Sequence, residues 1–245
     1  MIAALPSAAV LLRVAPRPAA LAASPARLAL AAGERETIRV TNSGGGVALV
    51  DVAPAGFALD LRGRPRIVRT VSPRLAVQPR RLTVAPGAAS TVTVSATLPA
   101  GARPGDHPAL VLLTTRPRRG AGLGVRLRIG IVVIVRAPGA VVHRLALRQL
   151  RVRHARTGDL LEFSVWNRGN VAERLGPDRV RVVLRRRGRV LARLRAAPRE
   201  LFPGSRAIET FRYRGRLRGP ATALVELARP RSGVQVLRRS YRIRL

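Results

Sequence analysis

The segment from 124 to 139 constrains the fold more than any other part of this 245-residue chain. It reads GVRLRIGIVVIVRAPG, and apolar residues occupy every second position from Val125 to Val135. This period of two is typical of a β-strand, and the β-branched residues of its second half disfavour a helix. Pro138-Gly139 ends the strand because proline cannot donate to a ladder. The pattern predicts one β domain that precedes and includes this strand, and a second β domain after it.

Short alternating segments separated by turn residues fill the first half of the chain. In STVTVSATL, at 90–98, Val92 and Val94 oppose Thr91 and Thr93, which is typical of a half-buried strand. About seven such strands in a region of this size predict a β-sandwich of immunoglobulin type.

The second half repeats this organisation with more charge. RVRVVLRRRGRVLARLRA, at 179–196, predicts a hairpin about Arg187-Gly188, and a break in alternation near Arg148-Gln149 predicts a bulge. We therefore predict an all-β chain of two tandem immunoglobulin-like β-sandwich domains. The predicted boundaries are 24–138 and 139–245, after a leader at 1–23.

The leader has two interpretations. Residues 1–12 are almost all apolar, and LAASPA offers small residues suited to cleavage near Ala23, so the leader is predicted to be a signal peptide. The alternative is a disordered Ala/Pro segment. No uninterrupted apolar run reaches the ~20 residues that a membrane-spanning helix needs. A secreted protein, extracellular or associated with the cell wall, is the expectation.

Charge and cysteine content narrow the possible functions. The 46 basic residues, all of them arginine, stand against 12 acidic residues and give a net charge of +34. The excess reflects either a GC-rich coding sequence or a preference for anionic partners. The chain has no cysteine and three scattered histidines, so it offers neither a disulfide framework nor a metal-ligand cluster. We expect no cofactor and no metal.

Arginines of the second domain alternate with apolar residues, which predicts that they share strand faces. The planar guanidinium fork donates two hydrogen bonds at once and suits phosphate groups. The predicted anion-binding residues are Arg179, Arg181, Arg193, Arg195, Arg212, Arg214, Arg216, Arg218, Arg242 and Arg244. The basic run at 185–189 lacks interleaved aromatic residues, so no nucleic acid partner is expected.

Three apolar residues are candidates for packing between domains or against a partner. Val132 and Ile134 lie on the strand face that begins with Arg126 and Arg128, so that face needs a cover. The second domain or an external partner provides it. Trp166 is predicted to lie in the core or at the domain junction, with carbohydrate stacking as the alternative.

No catalytic constellation emerges from the sequence. Asp106-His107 has no accompanying Ser or Cys nucleophile motif and is interpreted as part of a turn. Asp159 and Glu162 do not qualify as a glycosidase pair because their separation in space is not fixed by the sequence. We therefore predict that the chain is not an enzyme.

Two family resemblances carry the functional expectation. Residues 80–139, including LTVAPGAASTVTVSATLPAGARPGDHPALVLLTT, resemble the first domain of bacterial surface proteins that bind WxL-type wall proteins. VWNRGNVAERLGPDRVRV, at 165–182, resembles a turn and strand of related proteins. This resemblance implies an exported, non-enzymatic cell-envelope protein that binds peptidoglycan, an anionic wall polymer or other surface proteins.

The second resemblance is to the periplasmic pilus chaperones. They also consist of two tandem sandwiches, with a long last strand in the first. This similarity implies the alternative function, a strand-donating assembly protein.

Overall fold

The computed structural model of the protein describes residues 20–69, 73–116, 126–228 and 237–243. Within these ranges the chain forms nineteen strands and no helix. It consists of two tandem immunoglobulin-like β-sandwich domains, which confirms the predicted fold class. The search for a helix long and apolar enough to cross a membrane, confined to these ranges, finds none.

The strands of the first sandwich are β1 (Leu21–Ser24), β2 (Arg27–Ala31), β3 (Arg35–Asn42), β4 (Ala48–Leu59), β5 (Pro65–Val68), β6 (Arg74–Gln78), β7 (Arg81–Val84), β8 (Ala89–Thr97), β9 (Gly105–Thr115) and β10 (Arg128–Ala137). One sheet has the order β1-β3-β8-β6. The other has the order β2-β10-β9-β4-β5, with β7 also on β4. The core between them includes Ile38, Val92, Val111, Ile131 and Val133, all of them buried.

The first strand of this sandwich changes sheets, which positions the candidate site. β1 pairs antiparallel with β3 in one sheet, and after Ser24-Pro25 the chain continues as β2, parallel to β10 in the other sheet. Proline has no N–H to donate, so the ladder is interrupted where the chain crosses over.

The strands of the second sandwich are β11 (Leu145–Ala155), β12 (Gly158–Asn167), β13 (Glu173–Leu175), β14 (Val180–Arg186), β15 (Arg189–Arg195), β16 (Arg199–Leu201), β17 (Arg206–Tyr213), β18 (Ala221–Leu227) and β19 (Leu237–Ile243). The sheet β11-β12-β17 faces the sheet β15-β14-β18-β19, and β13 pairs with β16. In the core, the rings of Phe163 and Phe211 stack with centroids 5.4 Å apart.

Two predicted local features of this sandwich are confirmed. The β11–β12 register shifts between Arg148 and Leu150, and Gln149 has a φ of 32°, as expected of the bulge. β14 and β15 form the predicted hairpin. Arg187 and Gly188 make its turn with φ values of 46° and 80°.

Strand pairing continues into a part of the first sandwich whose sequence is interrupted by glycine and proline. β4 continues through Gly56 to Leu59 and pairs with β5, which begins at Pro65. Proline is tolerated there because β5 is an edge strand and needs no donor on its outer side. At the other end of this sandwich, the predicted leader boundary at residue 23 falls inside β1, and residues 1–19 lie outside the described ranges.

Each sandwich contains a turn organised by a buried asparagine. In the first sandwich, Asn42 Nδ2 donates to the carbonyl oxygens of Gly46 (2.7 Å) and Val84 (3.0 Å), and its Oδ1 accepts from the Gly44 N–H. The Asn42 carbonyl accepts from the N–H of Gly87.

The second sandwich repeats these contacts. Asn167 Nδ2 donates to Val171 (2.8 Å) and Leu201 (2.9 Å), its Oδ1 accepts from Gly169, and its carbonyl accepts from Gly204. The sequence signature is Asn-x-Gly followed by a later Pro-Gly, at 42–44 with 86–87 and at 167–169 with 203–204. The asparagine thus ties the end of one strand to a distant turn in both sandwiches.

Candidate functional site

The candidate site is an incompletely paired edge of β10. On one side β10 pairs with β9 along its whole length. On the other side it pairs with β2 only from Val132 to Arg136. Within the described parts of the chain, no strand covers this side at residues 128–131. We call the segment 128–131 the open edge.

The main-chain groups of the open edge point outward. Val132 N–H donates to Ala26 at 3.1 Å on the β2 side, whereas the Leu127 carbonyl accepts from Thr115 at 2.9 Å on the β9 side. In an antiparallel strand the N–H and C=O of one residue point to one side, and those of the next residue point to the other side. The main-chain groups of Arg128 and Gly130 therefore point to the same side as those of Val132, which is the uncovered side. Both residues are exposed. They form a short template for an additional strand.

Apolar side chains accompany this template. Ile131 is fully buried, Ile129 is half-buried against the core, and Leu127 is 36% exposed. Leu21 and Ala23 of β1 are also only partly buried on the same core. The open edge therefore lies beside a strip of incompletely covered apolar surface between the two sheets.

The opposite face of β10 turns to the second sandwich. Ile134 is 3% exposed and belongs to a buried cluster with Phe57, Leu110 and Phe202, against which Val132 packs. The Phe57 and Phe202 rings meet edge to face with centroids 5.1 Å apart. The cover over the Val132 and Ile134 face thus includes Phe202, a residue of the second half of the chain.

Polar contacts also join the two sandwiches. Asp106 is 6% exposed and accepts hydrogen bonds from Arg136 Nε and from the Ala172 N–H, both at 2.7 Å. The hydrogen bond to Asp106 raises the pKa of Arg136. Arg27 forms an ion pair with Glu200 at 2.7 Å. Asp106 therefore helps to join the two sandwiches, whereas the sequence indicated only a role in a local turn.

A cleft of about 590 Å³ lies beside these contacts, where β2 and β10 approach the segment that leads into the second sandwich. Arg27, Ile134, Arg136 and Pro138 line part of it. The Nε of Arg27 is buried and has no hydrogen-bond partner. β2 covers the edge of β10 from Val132 to Arg136, so it separates this cleft from the open edge.

Trp166 lies at the junction but outside the buried clusters. The guanidinium groups of Arg168 and Arg206 are 4.5 Å and 4.4 Å from its ring centroid. Its Nε1 is buried without a hydrogen-bond partner. With Pro104 and Pro203, the ring lines a pocket between the sandwiches. The arginines occupy the positions over the ring that a stacked sugar would need.

The predicted anion-binding arginines are only partly brought together. Arg181, Arg193, Arg195 and Arg242 lie exposed on β14, β15 and β19, which belong to one sheet. Arg212 lies on β17 in the other sheet, and Arg244 is outside the described residues.

The remaining four arginines of that set do not continue strand rows. The alternation predicted through 212–218 is wrong for Arg214, Arg216 and Arg218, because β17 ends at Tyr213. Arg179 is mostly buried and pairs with Glu173 at 2.7 Å.

Asp159 forms a second buried polar group, which sequence reasoning left without a role. It is fully buried and accepts from the Leu217 N–H at 2.6 Å, with His154 Nδ1 at 2.8 Å and Arg216 at 3.4 Å. Burial alone would raise the pKa of Asp159, but these hydrogen bonds and charges outweigh it and lower the pKa. The contacts of Asp159 to Arg216 and Leu217 hold the segment that follows β17 against the second sandwich.

Comparison with known proteins identifies the fold. No family model matches the sequence, and no curated protein sequence resembles it. The YadV chaperone crystal structure matches with a TM-score of 0.52 at 12% identity, over 91% of this chain and 99% of that chain. A structure reported for a chaperone–tip adhesin complex of CFA/I fimbriae matches with a TM-score of 0.53 at 11% identity, over 90% and 98%. The class 5 fimbriae chaperone CfaA matches with 0.51 at 12% identity, over 90% and 98%.

These matches overturn the first of the two resemblances. The chain was predicted to be similar to WxL-binding surface proteins and to bind peptidoglycan or an anionic wall polymer, with a location at the cell wall. The structures that match nine tenths of the chain are described as chaperones, two of them in connection with fimbriae, so the predicted family, function and wall partners are wrong. The Pro-Gly turns and strand spacing on which that resemblance rested occur in both sandwiches of this chain and are not specific to a wall-binding domain.

Proposed function

We propose that the chain is a non-enzymatic assembly chaperone that binds a β-rich client protein by adding a client strand to the open edge of β10. The observation that carries the proposal is the pairing of β10, which is complete on the β9 side and begins only at Val132 on the β2 side. Exposed main-chain donors and acceptors at Arg128 and Gly130 supply affinity of the kind used in β-strand addition.

The surroundings of the open edge fit this role. A client strand beside 128–131 would place alternate side chains over Ile129, Leu21 and Ala23, whose apolar surface is incompletely covered. In return, β10 would complete the client's own sheet by the same hydrogen bonds. The similar structures support this proposal because they are described as chaperones, one of them of class 5 fimbriae and one from a study of a chaperone–tip adhesin complex of fimbriae. We infer that the chain acts outside the cytoplasm, on surface-fibre subunits.

A proline substitution tests strand addition selectively. Gly130→Pro removes a donor that faces the open side, and no bond within the described chain depends on that donor. The matched control is Gly130→Ala, since a Cβ at this position meets only Leu110 and Leu112 at ordinary contact distance (3.7 Å). Each variant is co-expressed with a panel of fimbrial subunits, and the purified material is assayed for a stable complex.

We expect wild type and Gly130→Ala to retain a subunit and Gly130→Pro to lose it, with similar thermal unfolding of all three chains. Retention of the subunit by Gly130→Pro would show that the client binds elsewhere. The absence of any complex with wild type would contradict the chaperone function itself.

A further inference from the structure

The outer face of the second sandwich carries a dense group of arginines that the client-binding edge does not use. The register of β14, β15, β18 and β19 brings them to one side of a single sheet. They are Arg181, Arg185, Arg193, Arg195, Arg238 and Arg242, and we call their surface the basic face. All six are exposed.

Few negative charges balance this surface. Arg181 lies directly opposite Arg195 on one neighbouring strand and opposite Glu226 on the other. Glu226 is shared with Arg238, whose Nε is 3.2 Å away. Of the six arginines, only Arg238 has a carboxylate within 4.0 Å among the described residues. Like charges directly opposite in a sheet are destabilising, so an external anion would relieve a repulsion built into the fold.

The centre of the basic face is apolar. Val183 on β14 and Leu224 on β18 are directly paired, lie between the rows of arginines and are half-buried. Val190 on β15 is paired with Arg185 and is 39% exposed. The neighbouring strands are ~4.8 Å apart, so the four strands extend over about 14 Å. A basic rim with an apolar centre is complementary to a bilayer surface that carries anionic headgroups.

We propose that the basic face docks the protein onto a membrane that contains anionic phospholipids, with the arginines on headgroup phosphates and Val183, Val190 and Leu224 at the headgroup level. A nucleic acid is disfavoured because the outward positions of these four strands include no aromatic side chain for base stacking. The docking is independent of the open edge, which belongs to the other sandwich.

Sedimentation with vesicles tests this proposal. The probes are vesicles of phosphatidylglycerol and phosphatidylcholine in about equal amounts, vesicles of phosphatidylcholine alone, and a labelled DNA oligonucleotide. The test variant is R181Q/R195Q. The matched control is R35Q/R39Q, which removes the same charge from two exposed arginines of β3 in the first sandwich.

We expect wild type to bind the anionic vesicles and not the neutral ones, and to be released as salt shortens the screening length from ~10 Å. The test variant should lose about 25-fold in affinity, since each basic side chain near an anionic surface contributes about fivefold. The control should stay within a few-fold of wild type. Thermal unfolding should show that R181Q/R195Q is at least as stable as wild type, because the opposed charges are gone.

Three results would overturn the proposal. The first is an equal loss for R181Q/R195Q and R35Q/R39Q, which would indicate an effect of net charge alone. The second is binding to neutral vesicles as strong as to anionic ones. The third is tighter binding to the oligonucleotide than to vesicles, lost in R181Q/R195Q, which would assign the face to nucleic acid.

Discussion

Phe57 on β4 and Phe202 after β16 pack edge to face at an interplanar angle of 83°, and they bring the two sandwiches together beside Ile134 of β10. The strand proposed to receive a client is therefore fixed on its other face by the second sandwich. Leu61, between β4 and β5, reinforces this contact, because its carbonyl accepts a 2.7 Å hydrogen bond from the Ile208 N–H on β17. The junction holds β10 in place from one side and leaves its open edge accessible.

The aromatic pair should be energetically coupled. Phe202→Ala and Phe57→Ala should each lower the free energy of unfolding by on the order of 3 kcal/mol, because each removes a large buried ring. The double variant should cost less than the sum by about 1 kcal/mol, the coupling typical of an aromatic pair. Urea unfolding of the four proteins measures this cycle. Strict additivity would contradict direct packing of the two rings.

Gly105 should report on a close approach between the sandwiches. Its φ is +117°, and a Cβ there would overlap the carbonyl oxygen of Asn170. Gly105→Ala should therefore destabilise the chain by more than Gly33→Ala, since Gly33 also has a positive φ (+89°) but has nothing near its Cβ position. Left-handed strain alone costs about 1 kcal/mol. Thermal unfolding of the two variants should differ, and equal losses would show that the approach to Asn170 is not tight.

The repeated asparagine turn predicts parallel effects in the two domains. Asn42→Ala and Asn167→Ala should each lower stability by on the order of 3 kcal/mol, because each leaves two carbonyls and at least one N–H without its side-chain partner. Ser43→Ala, at an exposed neighbouring position, is the control. Limited proteolysis should show that each asparagine variant loosens its own sandwich first. A large loss from one variant and none from the other would contradict equivalent roles.

Stability at low pH should depend on Asp159. Its pKa is lowered from the ordinary value of 3.8, so its charged form stabilises the folded state above that value. This contribution is lost as the pH falls through the folded-state pKa. Asp159→Asn should thus be less stable than wild type near neutral pH, and the difference should shrink below pH 3.8. Urea unfolding across acidic pH measures it, with Asp178→Asn at an exposed position as the control. A difference that does not change with pH would contradict the charge-based account.

Glu209 should show the opposite sign. It is almost fully buried, and desolvation raises its pKa from 4.5, partly offset by Arg199. A raised carboxylate pKa means that the folded state binds the proton more tightly, so this residue makes stability fall as the pH rises from 4.5 through the folded-state pKa. Glu209→Gln should lack this slope, so the stability of the variant relative to wild type should increase as the pH rises over this range. Unchanged slopes in urea unfolding between these pH values would show that Glu209 is not desolvated.

The sequence predicted what alternation and turn chemistry determine locally. The period of two correctly assigned β10, and the structure shows that Ile131 and Val133 of its alternating face lie in the core. Arg187-Gly188 was recognised because such a turn requires positive φ. Alternation failed after Tyr213, where Gly215 and Gly219-Pro220 interrupt the strand although the arginines continue every second residue.

The candidate site could not be predicted in the same way. The open edge depends on where β2 begins to pair with β10, and those residues are about 100 positions apart in the chain. The Asp106 contact to Ala172 spans 66 residues and depends on the relative placement of the sandwiches. The Asn-x-Gly and Pro-Gly repeat was readable in the sequence, but its two halves are too distant for local turn rules to connect.

Hydrogen–deuterium exchange of the chain with and without a bound fibre subunit tests the central claim most directly. The amides of Arg128 and Gly130 should exchange rapidly in the free chain, because they face the uncovered side, and should become strongly protected in the complex. Ile131, already paired with β9, should change little. A stable complex in which the amides of Arg128 and Gly130 remain unprotected would contradict client binding by strand addition to β10.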